Sequence, residues 1–83
     1  MYQETFQTRD MTLAATLMCY DHEVKIEAVD RMGRGQFQFI ENDDLSKRID
    51  LWMIGSDNLK VDPKQYSANI RKLKGMIDEF EQR

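Results

Sequence analysis

The chain has 83 residues, 41% of them hydrophobic and 33% charged, with a formal net charge of −3. That balance suits one small folded domain and excludes a disordered chain, and no apolar run approaches the roughly 20 residues that a membrane-spanning helix needs. An acidic balance leaves no whole-molecule basic field for nucleic acid, and Cys19, the single cysteine, excludes an internal disulfide and a cysteine-built metal cluster. The opening MYQETFQTRD has no basic stretch followed by an apolar one, so it does not read as a signal peptide, and a cytoplasmic location is expected.

In chain order, residues 3–8 read as a short strand, carried by Thr5, Phe6 and Thr8. Asp10, with Thr8 as the alternative, suits the N-cap of a helix from Met11 to Tyr20, whose apolar face holds Leu13, Ala14, Leu17 and Met18. Asp21-His22 ends that helix. Val24 to Val29 alternates as a half-buried strand, with Val24, Ile26 and Ala28 on one face and Lys25 and Glu27 on the other. Arg31 to Gly35 is a turn whose two glycines are free to take positive φ. Gln36 to Glu41 is a second strand with Phe37 and Phe39 on one face, and the two strands form an antiparallel hairpin.

Asn42 and Asp43 begin a second helix that runs to Ile54, and Gly55 stops it. Its predicted core face is Leu45, Ile49, Trp52 and Met53, while Leu51 and Ile54 fall outside that stripe. Residues 56–58 are a turn, and Leu59-Lys60-Val61 is a short extended piece that is a candidate edge for the sheet. The closing helix has Asp62 as N-cap and Pro63 at its first position, where a missing N–H costs nothing. Tyr66, Ile70, Leu73, Ile77 and Phe80 recur at spacings of four, three, four and three, a narrow apolar seam. The expected fold is a single α+β domain over residues 1–83: a small antiparallel sheet, made of the hairpin plus one or two short edge strands, packed against three helices.

The stretches TRDMTLAATLMCYDHEVKIEAV, FQFIEND and VDPKQYSANIRKLKGMI resemble a family of small uncharacterised bacterial and phage proteins, a domain of unknown function. Members of that family open with an aspartate-led apolar helix ending in Gly-His, continue with a hairpin whose second strand reads Phe-x-Phe, and end with a proline-started helix carrying Arg-x-Leu-Lys. The resemblance covers roughly residues 6–78 and departs at Asp21, where glycine is usual. It implies a phage or mobile-element source, hence a host-cell cytoplasmic location, and it implies no activity.

The chemistry-bearing residues do not assemble into a catalytic set, and no cofactor or metal is expected. His22, the single histidine, has Asp10, Asp21 and Glu23 near it in sequence but no evident nucleophile, and a structural role at the helix end is the favoured reading. Cys19 ends an apolar run and has no basic neighbour in sequence to lower its pKa, so it reads as a small buried thiol. Gly33-Arg34-Gly35 precedes a strand rather than a helix and reads as a hairpin turn, not a phosphate loop. Asp43, Asp44 and Asp50 lack calcium-loop spacing and read as helix-start charge.

Two surfaces remain. Leu51, Trp52, Met53 and Ile54 give the second helix more apolar surface than one core stripe needs, which suits either core filling or an interface, for a homodimer or a partner groove. Arg31 and Arg34 at the hairpin tip, with Lys64, Arg71, Lys72 and Lys74 on the closing helix, are the basic candidates for nucleic-acid phosphate. Residues 63–83 carry a net charge of +2 and residues 42–62 one of −2. The expected function is a non-enzymatic protein-binding module that inhibits or redirects a host protein, including a defence nuclease of the CRISPR type. The alternative is a nucleic-acid-binding accessory protein that uses the six basic residues.

Overall fold

The computed structural model describes residues 4–55 and 59–82, so the turn expected at 56–58 lies outside the described residues. The elements run β1 (Thr5–Thr8), α1 (Met11–Met18), β2 (Lys25–Val29), β3 (Gly35–Ile40), α2 (Asp43–Ile54) and α3 (Pro63–Glu81). This is the expected α+β architecture, with three helices and a three-stranded antiparallel sheet of order β1-β3-β2. Among the described residues Leu59 to Val61 forms no strand, and the single addition to the hairpin is β1.

Each helix starts where a side chain takes up its orphan N–H groups. Asp10 accepts from the Thr12 and Leu13 amides at 3.0 and 3.2 Å and from the Thr12 hydroxyl at 2.6 Å. Asn42 accepts from the Leu45 amide at 2.8 Å, and Asp62 from the Lys64 amide at 3.2 Å. Gly55, at φ 76°, closes α2 in the left-handed region. The end of α1 tightens instead: the amides of Cys19, Tyr20 and Asp21 each bond three residues back, and Asp21 takes φ 66°. α1 therefore stops at Met18, two residues short of the expected Tyr20.

Phe37 and Phe39 of the central strand are 1% exposed and form the floor of the core with Leu13, Leu17, Leu45 and Leu73. Each fully enclosed side chain of this size stabilises the fold by about 1.5–3 kcal/mol. α3 packs across α1 and β2, with Leu73 and Ile77 buried and Tyr66, Ile70 and Met76 half-buried against the core. The Cα extents of 37 × 37 × 20 Å match one sheet layer under one helix layer.

β2 departs from its expected alternation. Its pairing with β3 skips Glu27, from Ile26↔Phe37 to Ala28↔Gln36, so a bulge turns Ala28 outward and Val29 inward. The larger side chain thereby takes the core position. In the turn, Gly33 alone takes positive φ, at 78°. Gly35 is needed for room: a Cβ there would meet Ile77 Cγ1 at 3.0 Å.

Candidate interaction surfaces

Of the other elements, α2 rests chiefly on α1. Leu45 is buried, Ile49 and Trp52 pack against the core, and Met53 and Ile54 of the last turn do not. Met53 is 71% and Ile54 78% exposed, which corrects the placement of Met53 on the core face. Met53 stands about 100° round the axis from Trp52, at the margin of the stripe formed by Leu45, Ile49 and Trp52, and turns out of it, with Ile54 on the opposite face. The four apolar candidates thus divide: Trp52 leans inward, Leu51 is half-buried, and Met53 and Ile54 face solvent. Leu51, Trp52, Gly55 and Leu59 line an adjoining shallow hollow of about 320 Å³.

The start of α2 is held by a polar clasp. Arg48 donates two hydrogen bonds to Asp44, at 3.0 and 3.1 Å, while its guanidinium lies 3.8 Å from the centre of the Tyr20 ring. The Tyr20 hydroxyl donates to the Lys60 carbonyl beyond the end of α2. His22 Nε2 approaches Asp44 Oδ2 to 3.0 Å without the geometry of a hydrogen bond, which leaves this buried nitrogen without a hydrogen-bond partner among the described residues. The Arg48 hydrogen bond, aided by the Arg48 charge, holds the Asp44 carboxyl below its ordinary value. Asp44 is more than half exposed, so these contacts orient α2 more than they stabilise it.

The basic candidates are not gathered into one patch. Arg34 bonds through Nε to Asp30 Oδ2 at 3.0 Å, and Asp30 Oδ1 accepts from the Met32 and Arg34 amides at 2.9 Å. Asp30 thus organises the hairpin turn and offsets the Arg34 charge. These bonds, the Arg34 amide first, hold its carboxyl below the ordinary value. Its position just before a Gly-containing turn is the local signal that marks it. Arg31 is exposed at the tip. On α3, Lys64 and Arg71 lie within about 20° of each other around the axis, but Lys72 and Lys74 fall about 80° to either side. Lys72 instead borders an open hollow of about 500 Å³ between α3 and the start of β2, with Met18, His22, Val24, Asn69 and Met76.

Asn69 is the buried residue that the apolar seam conceals. Only 4% exposed, it donates through Nδ2 to the Ala15 carbonyl at 3.1 Å and to Cys19 Sγ at 3.3 Å, and its Oδ1 accepts from Gln65 Nε2 at 2.9 Å. The Cys19 amide turns to the Thr16 carbonyl, so the Ala15 carbonyl takes its donor from α3. Burial raises the Cys19 thiol above its ordinary value, opposite to what a reactive cysteine needs. Among the described residues no three His, Cys, Asp or Glu side chains stand together as metal ligands, and no helix is long and apolar enough to cross a membrane.

Comparisons of the chain with family models, with curated proteins and with solved structures find no match.

Proposed function

We propose that this chain is a small, non-catalytic protein-binding module whose contact surface is the C-terminal end of α2. The observation that carries the reading is the exposure of Met53 and Ile54, at 71% and 78%, beside the hollow bordered by Leu51, Trp52 and Leu59. Adjacent exposed apolar side chains on a rigid helix end, next to a concavity, are the form that an interface anchor takes. Burial raises the Cys19 thiol, which suits a structural and not a nucleophilic role for that residue. The partner placed first is a cytoplasmic host or defence protein, on the resemblance to small bacterial and phage proteins.

The test compares the wild-type chain with Met53→Glu/Ile54→Glu as bait in a host lysate, after checking that both melt alike. A specific partner that binds the wild type and is lost by the variant is the expected result. Partners that bind both equally would refute the surface. The alternative, a nucleic-acid accessory protein, draws its support from the alignment of Lys64 and Arg71 on the exposed side of α3. It requires binding that weakens steeply with salt and is lost in Lys64→Glu/Arg71→Glu.

A further inference from the structure

The two edges of the sheet are built differently. β2 is interrupted by the bulge at Glu27, carries Lys25 and Glu27, and has α3 packed against it. A bulge, charges and a covering element are the devices that keep an edge from pairing with another chain. β1 lacks the bulge and the charges, and the helix that touches it is α1, which follows it in sequence. The strand reads Thr-Phe-Gln-Thr, without charge or proline, and its register with β3 is unbroken from Thr5↔Ile40 to Thr8↔Phe37.

The hydrogen-bond phase shows which groups of β1 are left over. The Glu41 amide donates to the Glu4 carbonyl at 3.0 Å, so Glu4, Phe6 and Thr8 turn their backbone groups toward β3. Thr5 and Gln7 turn theirs outward, where no described residue meets them, and both are exposed. On the open face of the sheet, Gln7 Oε1 accepts from Gln36 Nε2 at 2.8 Å, which leaves the Gln7 amide donors for a neighbour beyond the edge.

We propose that β1 is a self-pairing edge: a second copy of this chain adds its own β1, antiparallel about a two-fold axis normal to the sheet, to make one continuous sheet twice as wide. Of the registers that the two-fold and the outward phase allow, two lie nearest the middle of this strand. With Gln7 opposite Gln7 of the second copy, Glu4 would oppose Asp10, a like-charge contact. With Thr5 opposite Gln7 of the second copy, no charge opposes a like charge. Two Thr5–Gln7 pairs then exchange about four backbone hydrogen bonds. The half-buried Phe6 meets its symmetry mate on the core side of the sheet, the kind of aromatic contact that adds to strand pairing. A second copy fits the edge because the two-fold sets Thr5 on Gln7, Phe6 on Phe6 and Glu4 on Thr8, so outward donors and acceptors meet in phase and no charge opposes a like charge. An interface of this size gives a weak, concentration-dependent dimer.

Sedimentation velocity across a concentration series up to about 1 mM, the scale of weak strand-mediated association, tests the proposal. The wild type is expected to shift from monomer toward dimer, and Thr5→Lys/Gln7→Lys to weaken that association at least tenfold by setting lysine against lysine. Thr5→Glu/Gln7→Lys sets opposite charges face to face in this register and is expected to restore dimerisation. A wild type that stays monomeric throughout overturns the proposal, as does a dimer that survives Thr5→Lys/Gln7→Lys and is lost in Met53→Glu/Ile54→Glu. Should a strand variant fail to fold, amide exchange in the wild type decides: the Thr5 and Gln7 N–H groups become protected as concentration rises, and concentration-independent exchange refutes the pairing.

Discussion

Replacing Asn69 tests the account of how α1 is held to α3. Asn69→Leu keeps the branching at Cγ and removes the hydrogen bonds, with some overpacking from the bulkier leucine added to their loss. The Ala15 carbonyl, within a helix whose Leu13 to Leu17 stretch is buried, loses its donor at 3.1 Å. A buried acceptor left unpaired costs about 1–3 kcal/mol. Asn69→Ala adds a small void, for a total of about 2–4 kcal/mol. A chain of this length has only about 4–12 kcal/mol in all, so the loss is a large share. In thermal unfolding it corresponds to a fall in Tm of roughly 10–25 °C. Urea unfolding followed by circular dichroism should show a lower midpoint with an unchanged slope. Asn69→Asp, which sets an acceptor against a carbonyl, should be worse than Asn69→Leu. An Asn69→Leu variant within about 0.5 kcal/mol of wild type, the ordinary scatter of neutral changes, would refute the reasoning.

Asp21→Gly should stabilise the fold by about 0.5–1 kcal/mol, because Asp21 stands at φ 66° and glycine takes that conformation without strain; a fall in Tm would count against it. Gly35→Ala should destabilise by about 1–3 kcal/mol, since the new Cβ would meet buried Ile77 and Phe37 side-chain atoms at 3.0–3.2 Å, read from the denaturation midpoint. Asp10→Ala should cost about 1 kcal/mol at neutral pH through loss of the α1 cap. The Thr12 hydroxyl bond holds the Asp10 carboxyl below its ordinary 3.8, so its contribution is complete above that pH and is lost as the pH falls through the lower folded value. The gap between wild type and Asp10→Ala should therefore stay level from pH 7 to 5 and narrow only below about 4.

What could be read from the residues was what local chemistry decides. Asp10, Asn42, Asp62-Pro63 and Gly55 mark helix ends because their side chains or backbones satisfy orphan groups within a few residues. Phe37 and Phe39 announce the buried face of β3 by alternation alone. What stayed hidden depends on distant partners. The Val24-Ile26-Ala28 alternation runs smoothly through Glu27, and only the pairing with β3 reveals that the extra residue hands the core position to Val29. Asn69 looks like one polar residue among others on α3, since the carbonyl it serves lies 54 positions away. The excess apolar surface of Leu51 to Ile54 was legible. Its division was not, because Met53 stands at the margin of the apolar stripe and the period does not say how wide a face the core covers.

The same separation explains why a molecule this small can expose apolar side chains and still fold. Its core is closed by the Phe37–Phe39 floor, α1 and α3, and of α2 only Leu45 is fully enclosed there. The rest of α2 is held by the half-buried Ile49 and Trp52 and by the stack of Arg48 on Tyr20, with Arg48 steadied by its own fork on Asp44. A helix end fixed at one side and free at the other presents Met53 and Ile54 at a set angle without drawing on their burial. Substitutions at those two positions should therefore be nearly silent in stability and visible only in binding. That is the separation a contact surface requires and a core residue cannot show.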